Sequence, residues 1–349
     1  MNQPMPDQTE MRIGLAIGRM QDIPRGAPEI IEQIRRAEHD GFASVWVSHL
    51  LLVEGYDGPT IVAAAAQVTT RIELATFVPF LTRHPASMAH QALTIQALSE
   101  NRLILCMASS HRVFMEHGLG IDFGDPVALL ADYLPVLDAL FRQGPVRRLA
   151  SPYRTRVVPD VPGAKPPFVI LPGLRRSMVR LAGGLADGVA TIMAGPRFLE
   201  REVVPVLRHA AGASGRQAPR VAAHFFVSLT TEIEEARRYA NGMMADLHEH
   251  PMYQRVLKVD GVERVGDVSI IGDPDMVADR LDGLASIGVT DLMASIPVLD
   301  GDVAAYERTY RFLADRALLA SGAAIPRARL GQRGEGERDG RGDAAPILP

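Results

Sequence analysis

The sequence predicts an α/β fold, a (β/α)8 barrel, on three observations. Eight short apolar runs are each followed by helical sequence. A chain of 349 residues exceeds the ~250 typical of such a barrel by enough to carry insertions. Helix starts are marked by Pro just after residues that close a loop, at Asp125-Pro126, Gly195-Pro196 and Asp273-Pro274, where the missing N–H of Pro costs nothing. An open doubly wound sheet usually needs fewer strands.

The first run is Ile13-Gly14-Leu15-Ala16-Ile17, followed by a helix from Pro28 to Asp40 with Ile30, Ile31, Ile34 and Ala37 on one face. Gly41 closes that helix as a C-terminal cap. Val45-Trp46-Val47 is the second strand, Ile72 to Val78 the third, with its helix from Pro85 to Ser99, and Leu103 to Ala108 the fourth. Phe168 to Leu171, with a helix to Ala186, is the fifth, and Val189 to Met193, with a helix from Pro196, the sixth. The seventh, Val221 to Leu229, leads to a helix that Thr231 and Glu234 open as a capping box. Asp291 to Ser295 is the eighth.

Two irregular stretches interrupt the alternation: Ser109 to Gly124 after strand four, and Gly144 to Pro167 before strand five. Insertions of this kind often form lids at a catalytic rim. The expected organisation is a disordered N-terminus over 1–10, one barrel over 11–320, and a disordered tail over 321–349, rich in Gly, Arg and Pro. Arg341-Gly342-Asp343 in that tail reads as a chance tripeptide.

Composition narrows the function classes. The chain is 47% hydrophobic and carries 37 Lys and Arg against 41 Asp and Glu, with no basic stripe to suit nucleic acid. Its one cysteine, Cys106, excludes an internal disulfide and a cysteine-cluster metal site; inside strand four it is expected to be an inert core thiol. The first ten residues lack the basic and apolar regions of a secretory signal. No apolar run approaches the ~20 residues of a membrane span, so a cytoplasmic protein without membrane contact is expected.

In a barrel of this type chemistry sits at the C-terminal ends of the strands. Those ends offer Gly18, Ser48-His49, Thr76-Phe77-Val78-Pro79, Ala108-Ser109-Ser110-His111, Pro172-Gly173 and Met193. His49 and His111 are the candidates for general acid or base work, each with the alternative of a histidine that merely caps a strand end. Ser109 and Ser110 suit a ligand bearing carbonyls or phosphates. Phe77, Phe80, Phe114, Phe123 and Tyr56 could give an apolar rim. Glu116-His117 and His248-Glu249-His250 lack the i, i+4 pair of helical zinc sites and read as solvated surface, so no metal is expected. His84 should cap the helix that begins at Pro85. A Walker loop, a G-x-S-x-G elbow and a G-x-G-x-x-G turn after strand one are all missing.

Three segments carry a family resemblance. Ile271-Gly272-Asp273-Pro274-Asp275-Met276-Val277-Ala278-Asp279-Arg280-Leu281, with Gly288-Val289-Thr290-Asp291-Leu292 beyond it, is one; Arg83-His84-Pro85 with Gln91, Leu98-Ser99 and Arg102-Leu103 is the second; Arg180-Leu181-Ala182-Gly183-Gly184-Leu185-Ala186-Asp187-Gly188 is the third. Together they resemble the bacterial-luciferase-like flavin and deazaflavin oxidoreductase superfamily, in particular its coenzyme F420-dependent branch.

The resemblance implies a barrel with a reduced flavin or deazaflavin at its mouth. Ring contacts then fall on Gly18, Ser48, His49, Thr76, Val78 and Ser109 to His111, with Met193 from strand six. The cofactor phosphate falls on Gly173, Arg175, Arg176 and Ser177, at a helix N-terminus. Two departures stand out. Where the family reads L-G-I-G after strand four, this chain has Leu105-Cys106-Met107-Ala108, putting side chains into space that glycines leave open. Where L-G-P opens the helix after strand five, it has Leu174-Arg175-Arg176, whose guanidinium groups either hold the phosphate or obstruct it.

The expected activity is hydride transfer from coenzyme F420 to a small organic substrate, with His49 or His111 supplying the proton. An FMN-dependent monooxygenase is the alternative within enzymes. A redox-silent barrel with an altered or lost cofactor site is the alternative outside them. A homodimer through outer helices is implied by resemblance.

Overall fold

The computed structural model describes residues 10–18, 26–48, 56–110, 112–142, 153 and 155–323. Among the described residues, nine parallel strands alternate with helices. In chain order these are β1 (Arg12–Ile17), α1 (Ala27–His39), β2 (Ser44–Val47), α2 (Gly58–Ala65), β3 (Glu73–Pro79), α3 (Pro85–Leu98), β4 (Leu103–Ala108), α4 (Pro126–Phe141), β5 (Phe168–Pro172), α5 (Arg176–Leu185) and β6 (Gly188–Ile192). The rest are α6 (Pro196–Phe198), α7 (Val204–Ala213), β7 (Arg220–Leu229), α8 (Ile233–Met243), α9 (Ala245–His248), α10 (Pro251–Asp260), β8 (Ile270–Gly272), α11 (Pro274–Ser286), β9 (Asp291–Ser295) and α12 (Val303–Ala320).

Eight of the strands close a ring. Neighbours pair from β1 to β7 in order, β7 pairs with β9, and β9 returns to β1. These eight are the eight apolar runs of the sequence, and the barrel is the predicted one. The ninth strand, β8, was not expected. β7 is ten residues long; its first part pairs with β6 and β9, and β8 covers the overhanging Val227 to Leu229. Three residues are too few to show a period.

Alternation along the strands separates two cores. Ala16, Trp46, Ala75, Ile104, Cys106, Ile170, Ala190, Ala222 and Met293 fill the barrel interior, with Phe77 against them. Leu15, Val45, Leu74, Leu105, Val169, Val189, Val221 and Leu292 point outward into the helix layer. Cys106 is fully buried, and burial pushes its thiol well above the ordinary range, as an inert core thiol requires. The Trp46 indole N–H donates to Ser44 Oγ at 2.9 Å, and Gly14 leaves room for that serine, since a Cβ there would run into it.

The end of the barrel opposite the mouth is closed by charge. Arg12, Glu73, Arg220 and Asp291 are the first residues of β1, β3, β7 and β9. The Arg220 guanidinium reaches Asp291 at 2.5 Å and Glu73 at 2.9 Å, while Arg12 reaches the same two at 2.5 and 3.1 Å. Two cations and two anions thus plug the narrow end, with Asp291 and Arg220 buried.

Most expected helix ends hold. Gly41 follows α1 at φ +96°, and Pro opens α4, α6 and α11. The Thr231 capping box does not form. Glu232 sits at the cap position of α8 without a side-chain bond, because the turn is closed one residue earlier, by Thr230 Oγ1 accepting from the Glu232 N–H at 3.0 Å.

The two irregular stretches differ. Ser109 to Gly124 follows β4, so it stands at the mouth; it coils into a π-helical turn, Phe114–Gly118, with Met115 buried. The described part of Gly144 to Pro167 runs along α3, from its N-terminal end at His84 to the turn that leads to β4. Tyr153 packs edge-on against Tyr133 and His84, and Lys165 is tied to Asn101 and Gln96 beside the turn from α3 to β4. The expected tail lies outside the described residues from 324 onward, as do residues 1–9 at the N-terminus. Among the described residues, no helix is long and apolar enough to cross a membrane.

Candidate active site at the barrel mouth

Parallel strands bring all their C-terminal ends to one rim. Gly18 ends β1 at φ +136°, a conformation that L side chains rarely adopt, and a Cβ there would lie 3.1 Å from Ser48 Cβ. Ser48, just past β2, donates its N–H to Ile17 O at 3.1 Å. This corner of the rim is therefore bare backbone beside a hydroxyl. Ser109 and Ser110 follow β4, half-buried, and Ser110 holds φ +63° without being glycine. Non-glycine residues held in this region cluster at functional sites.

Gly173 follows β5 and donates to Ala190 O at 3.0 Å. A Cβ on it would come within 2.5 Å of Met178 Cγ, so its bareness lets the first turn of α5 fold over the strand end. Arg175 occupies the N-cap of α5 with no side-chain capping bond. Arg175, Arg176 and Ser177 are all exposed, and no ion pair of either arginine occurs among the described residues.

The other helices that follow ring strands differ. α2, α3, α4 and α12 are capped by Asp57, His84, Asp125 and Asp302. Asp260 reaches across to cap α6, accepting from Gly195 N at 2.9 Å and Phe198 N at 3.0 Å. α1 and α8 carry Glu in their first turns. Among the described residues, only α5 offers free backbone N–H groups, the positive end of a helix dipole and two arginines together.

Several expected contacts face elsewhere. Ala75 and Phe77 point into the barrel, so Thr76 and Val78 between them point outward, where they line a tight space with Pro59, Met88, Ala92 and Ile95. Met193 is fully buried in the helix-side core. Thr76, Val78 and Met193 are thus corrected from cofactor contacts to packing residues. Met107 also packs outward, so the side chains that replace glycines on the inner face are Cys106 and Ala108. Phe80 is buried edge-on against Tyr133 and belongs to no rim. His49 and His111 lie outside the described residues. Glu116 pairs with Arg112, His250 caps α10 by accepting from Met252 N at 3.2 Å, and no cluster of metal-binding side chains occurs among the described residues.

His224 was missed. It lies on β7, on the inward face that also carries Arg220 and Ala222, in register with Ile192 at the end of β6. Its Nε2 is 2.8 Å from Ser295 Oγ at the end of β9. Its Nδ1 is buried with no hydrogen-bond partner among the described residues, an arrangement that costs about 1–3 kcal/mol. Counting alternate residues from Arg220 would have found it; inspection of strand ends alone does not.

Burial lowers the His224 pKa from its ordinary 6.5 to about 4. The folded protein then disfavours the proton that the unfolded chain accepts. Stability is full above pH ~6.5 and falls as pH drops toward 4, by up to ~3 kcal/mol. Urea unfolding followed between pH 7 and 4 should show this loss, and His224→Phe should remove it.

The donors at the mouth suit a flat, partly apolar group with an anionic arm. The uncapped N-terminus of α5 with its arginines suits an anion, Gly18 leaves bare backbone, and Trp46 and Phe77, 5.9 Å apart, make an apolar floor.

A family model described as luciferase-like monooxygenase matches residues 11–291. The 5,10-methylenetetrahydromethanopterin reductase of Methanopyrus kandleri is 24% identical over 318 residues, covering 77% of this chain and 89% of that protein. The solved coenzyme F420 dependent tetrahydromethanopterin reductase from Methanopyrus kandleri superimposes with a TM-score of 0.71 at 21% identity, over 88% of this chain and 97% of that one. The oxygenating constituent of 3,6-diketocamphane monooxygenase from Pseudomonas putida, a type II Baeyer-Villiger monooxygenase in complex with FMN, does so with a TM-score of 0.70 at 18% identity, over 90% and 99%. At these identities the two structures speak for the fold.

Proposed function

Because the chain belongs to the luciferase-like monooxygenase family, we propose that it is an oxidoreductase that binds coenzyme F420 at the barrel mouth and reduces a small organic molecule. The observation that carries this reading is the uncapped N-terminus of α5 with Arg175 and Arg176. The relative at 24% identity, named as a methylenetetrahydromethanopterin reductase, and the solved F420-dependent reductase favour the deazaflavin; the FMN-bound structure keeps the flavin monooxygenase as a second reading.

Reduced deazaflavin supplies a hydride, whereas reduced flavin can also deliver electrons to oxygen. Oxygen consumption therefore separates the two. Arg175, Arg176 and the N–H groups of the first α5 turn would hold the phosphate. Gly18 and Ser48 would let a ring lie close against β1 and β2, and the Trp46 and Phe77 floor would exclude water beneath it. His49 and His111, next in sequence to Ser48 and Ser110, are the proposed proton donors. The outward packing of Met107 removes one motive for a redox-silent barrel. A homodimer remains part of this proposal and is checked by sedimentation.

The test compares ligands that differ by the phosphate. FMN should bind at least ~10-fold more tightly than riboflavin, and coenzyme F420 more tightly than its phosphate-free ring alcohol. Arg175→Gln with Arg176→Gln should abolish that preference and leave the binding of the phosphate-free partners unchanged. A preference that survives the double substitution would place the phosphate elsewhere.

A further inference from the structure

The upper barrel interior is apolar almost throughout. Ala16, Cys106, Ile170, Ala190 and Met293 offer no strong donor or acceptor, and the Trp46 N–H is committed to Ser44. His224 breaks this pattern. Its residue surface is 3% exposed, its Nε2 is engaged by Ser295, and its Nδ1 has no partner among the described residues. The pair stands at the top of the barrel, since Ser295 is the last residue of β9 and His224 is level with the last residue of β6.

A buried polar atom without a partner calls for an explanation, and ligand sites are typically apolar with a few placed polar groups. Phe226, whose ring lies 5.6 Å from the imidazole, packs one side of His224 but cannot satisfy a ring nitrogen. Thr76 and Thr191 also bury unpartnered hydroxyls, but on the outward face of their strands; His224 lies on the inner face, next to the mouth.

We propose that His224 is a ligand-anchoring residue: its Nδ1–H donates to a carbonyl oxygen of the molecule seated on the barrel, while the Ser295 hydroxyl holds the ring by donating to Nε2. The proposal rests on the reading of the mouth as a flavin or deazaflavin site. Both rings carry carbonyls, as do the organic molecules such cofactors reduce, so the chemistry is shared and the source of the carbonyl is a matter for experiment.

Protein labelled with 15N-histidine is titrated with FMN and with coenzyme F420, with occupancy followed separately by cofactor fluorescence. His224 is assigned from the resonances missing in His224→Gln. The Nδ1 resonance should move with the same midpoint as the fluorescence. His224→Gln, whose amide reproduces only the Nε2 position, should bind ~10-fold more weakly, whereas His224→Asn, whose amide reproduces Nδ1, should stay within about threefold. If the resonance stays fixed at full occupancy and moves only when cyclohexanone is added, the carbonyl is the substrate's. If it moves with neither, or if the Gln and Asn proteins differ only in thermal stability, the pair is structural and the proposal is overturned. Fluorescence silent to both cofactors would instead strike the cofactor reading itself, and the ketone arm then decides the anchor.

Discussion

Arg220→Met is expected to lower the free energy of unfolding by about 3–5 kcal/mol, the usual cost of removing one partner from a buried ion pair. Asp291 is buried and its carboxylate takes bonds from Arg220 Nε at 3.0 Å and Nη2 at 2.5 Å. Without Arg220 a single guanidinium, Arg12, must serve both Asp291 and Glu73. The loss lies in the orphaned carboxylate, since a buried pair as a whole is worth little against apolar packing. Arg220→Met combined with Asp291→Asn should therefore recover part of it. Urea unfolding at neutral pH measures both. A loss under ~1 kcal/mol in the single variant would mean that water reaches the barrel base and screens the cluster.

Gly18→Val is expected to weaken cofactor binding by ~100-fold or more while the barrel still folds. The backbone at φ +136° is strained for any side chain, at about 1–3 kcal/mol. The added Cβ also meets Ser48 Cβ at 3.1 Å, so the ends of β1 and β2 must part or turn into the mouth. Either response spoils the surface on which a ring would lie. Fluorescence titration gives the affinity and thermal unfolding gives the stability. Unchanged affinity beside a lowered Tm would remove this corner from the site.

The barrel was legible because each ring strand is a buried run with its own helix start. What the strand ends could not show was which way each side chain points. Thr76 and Val78 alternate with Ala75 and Phe77, and a residue at a strand end faces the mouth only if it shares the inner parity. The same parity, followed down β7, leads from Arg220 to His224. Gly173, Arg175 and Arg176 were easier to place, because a helix N-terminus after a parallel strand must open at the rim. β8 and the turn closed by Thr230 were beyond reach, since both lie past the point where β7 overhangs its ring neighbours.

The most direct measurement of the central claim is a calorimetric titration of the unmodified protein with coenzyme F420 and with FMN, without substrate. A micromolar dissociation constant for one of them, weakened at least ~10-fold in the Arg175→Gln, Arg176→Gln protein, is the expected result. If neither binds, or if the double variant binds as tightly as the parent, α5 does not hold a flavin or deazaflavin phosphate, and the account of the mouth as a redox site is contradicted.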